Sequence, residues 1–151
     1  MTSRRSLALA AAGACFLAAC GGSNATVDLA FSVIDTRSSA IAQTQFFAIR
    51  NAADFAAFWS AHTANVTPPP AQPAVDFTRE MVLAGVLGQR PNGCYGVTLR
   101  RVVNNGEKLR AEFAEITPVA GASCPAGVTN PSFVATVPLF ATYPVEYVQV
   151  P

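Results

Sequence analysis

The stretch "MVLAGVL", residues 81–87, runs seven apolar residues without a polar interruption. Successive side chains of a strand point to opposite faces, so a run that is apolar at both parities reads as a central strand covered on both. The segments around it supply the cover. Val27, Leu29, Phe31 and Val33 alternate with Asp28, Ala30 and Ser32, as a half-buried strand does, and "TQFFAIR" at 44–50 predicts a second. Asn51 then opens "NAADFAAFWSAH" with an N-cap residue, and Asp54 follows at the third helical position. Phe55, Phe58, Trp59 and His62 fall on one stripe of the resulting helix. "TPPPAQPAVDF", residues 67–77, is too rich in proline for helix or interior strand and reads as a stiff connector. Tyr95, Val97 and Leu99 resume the alternation, and "SFVATVP" at 132–138 and "VEYVQV" at 145–150 predict two more strands. The expected fold is α+β: an antiparallel sheet of six or seven strands with one main helix, 51–62, packed on it.

Strand pairing can be pressed further at Asn104-Asn105-Gly106-Glu107. A two-residue Asn105-Gly106 turn would set Leu99 opposite Glu112 and mix core with solvent on one face. A slip of one residue sets Leu99 opposite Phe113, Val103 opposite Leu109 and Arg100 opposite Glu112. A longer or bulged loop is therefore predicted here. Between Thr117 and Pro131 the composition predicts a long loop of Gly, Pro, Ala and Ser carrying Cys124.

The other end of the chain sets the compartment. Arg4 and Arg5 are followed by an apolar stretch from Leu7 to Ala19, the order of an export signal, and that stretch falls short of the roughly 20 residues of a membrane-spanning helix. Leu17-Ala18-Ala19-Cys20 resembles the bacterial lipobox. The resemblance implies a signal peptide over 1–19, cleavage before Cys20, diacylglycerol on its thiol and an acyl chain such as palmitate on its amine. Residues 20–26 then form the lipid anchor and tether, and 27–151 a single domain. Several acyl chains hold stably where one is marginal. The alternative is an ordinary secretory signal cut near Ala19; Ser3-Arg4-Arg5-Ser6-Leu7 matches a twin-arginine signal only in part. Gly21 after the cysteine favours the outer membrane by resemblance to Gram-negative sorting. Loss of Arg4 and Arg5 leaves eight basic residues against nine acidic ones, with no basic stripe to attract nucleic acid.

With Cys15 discarded and Cys20 lipidated, Cys94 and Cys124 remain as an even pair in an oxidising compartment. A thiol nucleophile needs a base, and the only histidine, His62, would have to meet Cys94 across a long separation. Two cysteines and one histidine without short spacing make a poor zinc set. The chain has no G-x-S-x-G elbow, phosphate-binding glycine loop or H-E-x-x-H. Elimination favours a Cys94–Cys124 disulfide closing a loop of about 30 residues, a gain of roughly 3–4 kcal/mol in the chain-entropy model; the alternative is two reduced thiols. Glu107, Glu112 and Glu115 lie along the predicted hairpin, where Glu112 beside Arg100 reads as a surface ion pair and not an acid/base pair.

From Asn51 onward, "NAADFAAFWSAH", "PAVDFTREMVLAGVLGQRPNGCYGVTLRRV", Asn130-Pro131-Ser132-Phe133-Val134 and "VEYVQV" resemble, in that order, the C-terminal domain of the protease-complex subunit PrcB family. The most telling piece is Val75-Asp76-Phe77, the apolar strand, Gly88, Pro91 and Gly93-Cys94-Tyr95. The resemblance covers about two thirds of the chain and implies a non-catalytic partner or stabiliser of an exported serine-protease complex, with no catalytic residues to carry over. Cys94 departs from the pattern, standing where a second glycine is expected.

The expected function is that of a cell-envelope lipoprotein, not an enzyme, binding or stabilising another exported protein without cofactor or metal. The expected binding surface is Asn92, Gly93 and Tyr95 with Ser123 and Asn130, or an open sheet edge that accepts a strand. The alternative is an envelope small-molecule or polymer binder with a cleft between helix and sheet, for which Trp59, Tyr95 and Tyr143 are candidate stacking residues.

Overall fold

The structure is a computed structural model that describes residues 25–151. The signal segment at 1–19 and the lipidation site at Cys20 lie outside the described residues. In chain order the elements are β1 (Val27–Leu29), β2 (Ser32–Asp35), β3 (Thr44–Ile49), α1 (Ala52–His62), β4 (Glu80–Leu87), β5 (Arg90–Asn92), β6 (Gly96–Asn104), β7 (Leu109–Ile116), β8 (Ala126–Thr129), β9 (Ser132–Pro138) and β10 (Val145–Gln149).

The helix forms where its local signals place it. Asn51 Oδ1 accepts the Asp54 N–H at 2.8 Å, and Asn51 Nδ2 donates back to the Asp54 carboxylate at 2.7 Å, so cap and first turn hold each other. Phe55, Phe58, Trp59 and His62 are its buried residues. At the far end Thr63 donates both its N–H and its hydroxyl to Trp59 O, at 3.0 and 2.7 Å, which occupies a carbonyl the helix leaves free.

The expected single sheet of six or seven strands is two sheets and a ribbon. A front sheet has the order β1-β6-β7-β10, a central sheet the order β2-β9-β4-β3, and β5 pairs with β8. Pairing is antiparallel except that β10 runs parallel to β7. The physical reason lies in β4. Met81, Leu83 and Leu87 point into one apolar cluster with Val97, Leu99, Phe113 and Phe133. Val82 and Ala84 point into another with Ile49, Phe55, Phe58 and Trp59. One helix covers one face of a sheet, so the other face needs a second sheet. The alternating run at 27–33 looks continuous in sequence, but the chain changes sheets at Ala30 and Phe31.

Gly85 sits inside β4 for want of room. A Cβ there would lie 2.5 Å from Phe133 Cε1 and 3.0 Å from Phe46 Cδ1, the rings of its two cross-strand neighbours. On the side away from the chain entry, the sandwich is held by Tyr147 of β10. Its ring stacks on Phe46 at 4.8 Å, and its hydroxyl donates to Phe47 O at 2.5 Å.

The β6–β7 loop is longer than a two-residue turn, as predicted, and a bulge further along β6 adds a second register change. Leu99 faces Phe113, as expected. Arg100 is then skipped, Arg101 pairs with Glu112, and Asn104 pairs with Leu109, leaving Asn105–Lys108 as a four-residue loop. The expected pairs Val103–Leu109 and Arg100–Glu112 are thus each displaced by one. The bulge lets two consecutive arginines face solvent while Leu99 before them and Val102 after them are both buried. Glu112 takes Arg110 at 3.3 Å in place of Arg100, and Arg101 pairs with Asp28 on β1. In the loop Asn105 Oδ1 accepts the N–H groups of Glu107 and Lys108, and Gly106 adopts φ +87°.

Candidate binding surface

Arg90–Asn92 and Ala126–Thr129, which follow β4 and precede β9 in the chain, pair as a short ribbon. The segment read as unbroken loop, 117–131, therefore contains a strand, which forms because β5 offers it a partner. Gly93 N–H donates to Pro125 O at 3.0 Å, and a Cβ on Gly93 would come within 3.1 Å of the Pro125 ring. One residue further on, Cys94 and Cys124 are disulfide-bonded with Cα atoms 5.3 Å apart. Asn92 Oδ1 accepts the Cys94 N–H at 3.0 Å and holds the turn that presents the thiol. Small residues surround this cysteine because two chain segments pass close together at it. The base of the ribbon is fixed by Arg90, whose Nε donates to Glu115 at 2.5 Å and whose Nη1 donates to Leu87 O at 2.8 Å. Pairing with Glu115 holds the Arg90 guanidinium above its ordinary range.

Of the residues expected to line a binding surface, Asn92, Gly93, Tyr95 and Ser123 flank the disulfide in sequence; Gly93 and Ser123 are exposed, Asn92 and Tyr95 half-buried. Asn130 stands at the opposite end of β8. Its N–H donates to Ser38 Oγ at 2.9 Å and its Nδ2 to Ser39 O at 2.8 Å, so it fastens the 38–39 segment. What the residue-by-residue reading missed is apolar. Val119 is 78% exposed, Val128 70% and Ile116 50%. The signal was present in the chain, since no charged residue lies between Glu115 and Glu146.

A second arrangement also went unseen. His62, the only histidine, is 0% exposed; its Nδ1 lies 2.9 Å from Ser39 Oγ and its Nε2 2.8 Å from Asp35 Oδ2. Asp35 also receives Arg37 Nε at 2.6 Å, and the Arg37 guanidinium lies over the Trp59 ring at 5.3 Å. The residue types are those of a hydrolytic triad. Ser39, however, is 1% exposed and its oxygen already accepts the Ile41 N–H, so no substrate reaches it in this conformation. What the bonds do is pin the 35–41 segment to the end of α1. Cys94, bonded to Cys124, is no partner for this imidazole.

Beside α1, a groove of about 700 Å³ runs along β3, which among the described residues pairs only with β4. Phe47, Ile41, Ala57, Phe58 and Ala61 line it, with Gln45 and Asp54 as its polar members. Of the candidate stacking residues, Trp59 is buried with its Nε1–H on Pro70 O at 3.0 Å, and Tyr143 packs on Phe140 at 5.3 Å; neither they nor Tyr95 line the groove. Among the described residues no helix is long and apolar enough to cross a membrane, and no three His, Cys, Asp or Glu side chains gather to hold a metal. No family model, no curated protein and no solved structure matches the chain.

Proposed function

We propose that the chain is a cell-envelope lipoprotein, anchored through Cys20 at the periplasmic face of the outer membrane. Its PrcB-like domain, 27–151, binds or stabilises another exported protein without catalysing a reaction. An exported protease is the partner that the family resemblance implies. The observation that carries the reading is the disulfide-clamped ribbon with the loop leading into it: Val128 in β8 and Val119 in that loop stand exposed in a stretch without charge. Isolated exposed valines are ordinary, but apolar side chains exposed on a chain segment that a disulfide ties down, with no charge nearby in sequence, fit a contact surface. The test is crosslinking followed by pull-down from detergent-solubilised membranes at native abundance. One envelope protein should be recovered with the wild type and lost when Val119 is replaced by Asp in a domain that still melts cooperatively. Recovery of no protein, or equal recovery with both chains, would reject the reading.

A second reading has the groove between α1 and β3 as its specific support. Its volume suits a small molecule or a segment of polymer. Replacement of Ala57 by Trp would fill it, and an envelope ligand that still copurified with this variant would rule the groove out.

A further inference from the structure

The strand registers fix where the proposed binding end lies relative to the point at which the chain enters the domain. Val27 pairs with Asn104 and Leu29 with Val102, so the chain enters the front sheet at the end where β6 runs into the 105–108 loop. Gly96 pairs with Ile116 at the other end of the same two strands, and the disulfide and exposed valines follow directly from there. The eight residue steps of β6 between these ends span about 26 Å at ~3.3 Å each. The tether from Cys20 to Ala25 reaches at most about 18 Å at ~3.5 Å per residue. Chain entry and ribbon are therefore at opposite ends of the front sheet, farther apart than such a tether can reach.

We infer that the ribbon is a docking tip directed away from the anchoring membrane, and that its occupant is an uncharged, apolar patch on a different exported protein. This rests on the lipoprotein reading. Three features of the molecule select that occupant. The tip cannot enter its own membrane end-on, because the tether leaves from the far end. A second copy meeting it end-on, with the two-fold axis across the long direction, would send the two chain entries in opposite directions, which anchorage in one membrane does not allow. Finally, Ile116, Val119 and Val128 are exposed within a stretch of chain that has no charge between Glu115 and Glu146 and is tied back by the disulfide, so recognition rests on apolar burial. The disulfide contributes by holding the tip in one conformation before contact, which lowers the entropy lost on binding.

The experiment is site-specific photocrosslinking of the full chain in its own envelope, with benzoylphenylalanine at Val119, at Val128, or at Glu107 in the loop at the anchor end. The expected result is one shared protein adduct from Val119 and Val128 and none from Glu107. Its yield should not change when sodium chloride is raised, because no ion pair is involved. Val128→Lys should lower the Val119 adduct about tenfold, since a desolvated ammonium is costly at an apolar contact; non-reducing mobility and a melt confirm that this variant stays folded and bridged. Adducts with acyl chains would assign the tip to a membrane, and an adduct of twice the chain's mass would assign it to a second copy. Either overturns the inference, as would loss at high salt or equal labelling at Glu107. The mass of the mature chain separates the two readings. A diacylated Cys20 with no adduct at Val119 leaves the lipoprotein standing and removes the docking tip. An unmodified Cys20 removes the lipoprotein reading and with it the outward direction.

Discussion

An imidazole shut away from water requires a partner at each ring nitrogen, and for His62 these are Asp35 and Ser39, brought from 27 and 23 residues away. His62→Ala would leave the Asp35 carboxylate with Arg37 alone and open a void beside Phe58 and Trp59, whose rings lie 5.2 and 5.6 Å from the imidazole. A loss of about 2–4 kcal/mol is expected in urea unfolding, against about 1 kcal/mol for Ser39→Ala; equal losses would show that the chain of bonds is not what holds the segment. Tyr147 gives a pH signature. Burial pushes its phenol well above the ordinary value of about 10, while the unfolded chain titrates there. The folded form then keeps a proton that the unfolded form gives up, so stability is fully present below pH ~10 and falls as pH rises beyond it. Tyr147→Phe should be less stable at neutral pH, by about 1 kcal/mol for the lost bond to Phe47 O, yet show a flatter alkaline limb. The Asn51 cap and the Phe55-Phe58-Trp59-His62 stripe were legible in sequence because each is decided within a turn or two of helix. The partners of His62 were not, because which polar residue reaches a buried ring depends on where a distant segment crosses.

Strands are harder to read than the helix for a related reason: alternation says which face a residue takes but not which sheet. The run from Val27 to Val33 keeps period two across β1 and β2 while the chain passes between sheets. The apolar run of β4 did announce cover on both faces, though not that one cover would be a second sheet. In β6 the need for a register change was legible from Leu99 and Phe113, but its form was not, since a three-residue loop alone and a four-residue loop followed by a bulge at Arg100 both restore that pair. The observed bulge yields a sharp expectation. Arg100 is the unpaired extra residue, so deleting it should leave Leu99 and Arg101 facing Phe113 and Glu112 in an unbroken ladder. That deletion should cost less than about 2 kcal/mol, whereas deleting Val97 should cost more, because it removes a buried side chain and turns the strand end before Thr98 to the wrong face. Thermal melts of the two deletion variants decide the matter, and similar melting points would contradict the register.

At the scale of the whole domain, Cys94 and Cys124 bracket the β6–β7 hairpin, so the disulfide joins its open end. Cys94→Ser with Cys124→Ser is expected to lower stability by roughly 3–4 kcal/mol. Hydrogen exchange should quicken first in Arg90–Asn92 and Ala126–Thr129, while Val82, Leu83 and Val134 in the central sheet keep their protection. Uniform loss of protection would mean that the ribbon and sandwich unfold as one unit. This pairing was legible because the cysteine count, with the compartment expected from the N-terminal residues, leaves few choices. The ribbon was not, because a four-residue strand among proline and glycine carries no periodicity of its own.

The opposition of chain entry and ribbon along the front sheet also bears on mechanics. A pull on the incoming chain draws β1 toward the 105–108 loop, and a pull on the ribbon draws β6 the other way. Forces in line with two antiparallel strands load their hydrogen bonds together, in shear, and do not peel them one at a time. A domain held by lipid at one end and by a partner at the other would therefore meet tension along its stiffer direction.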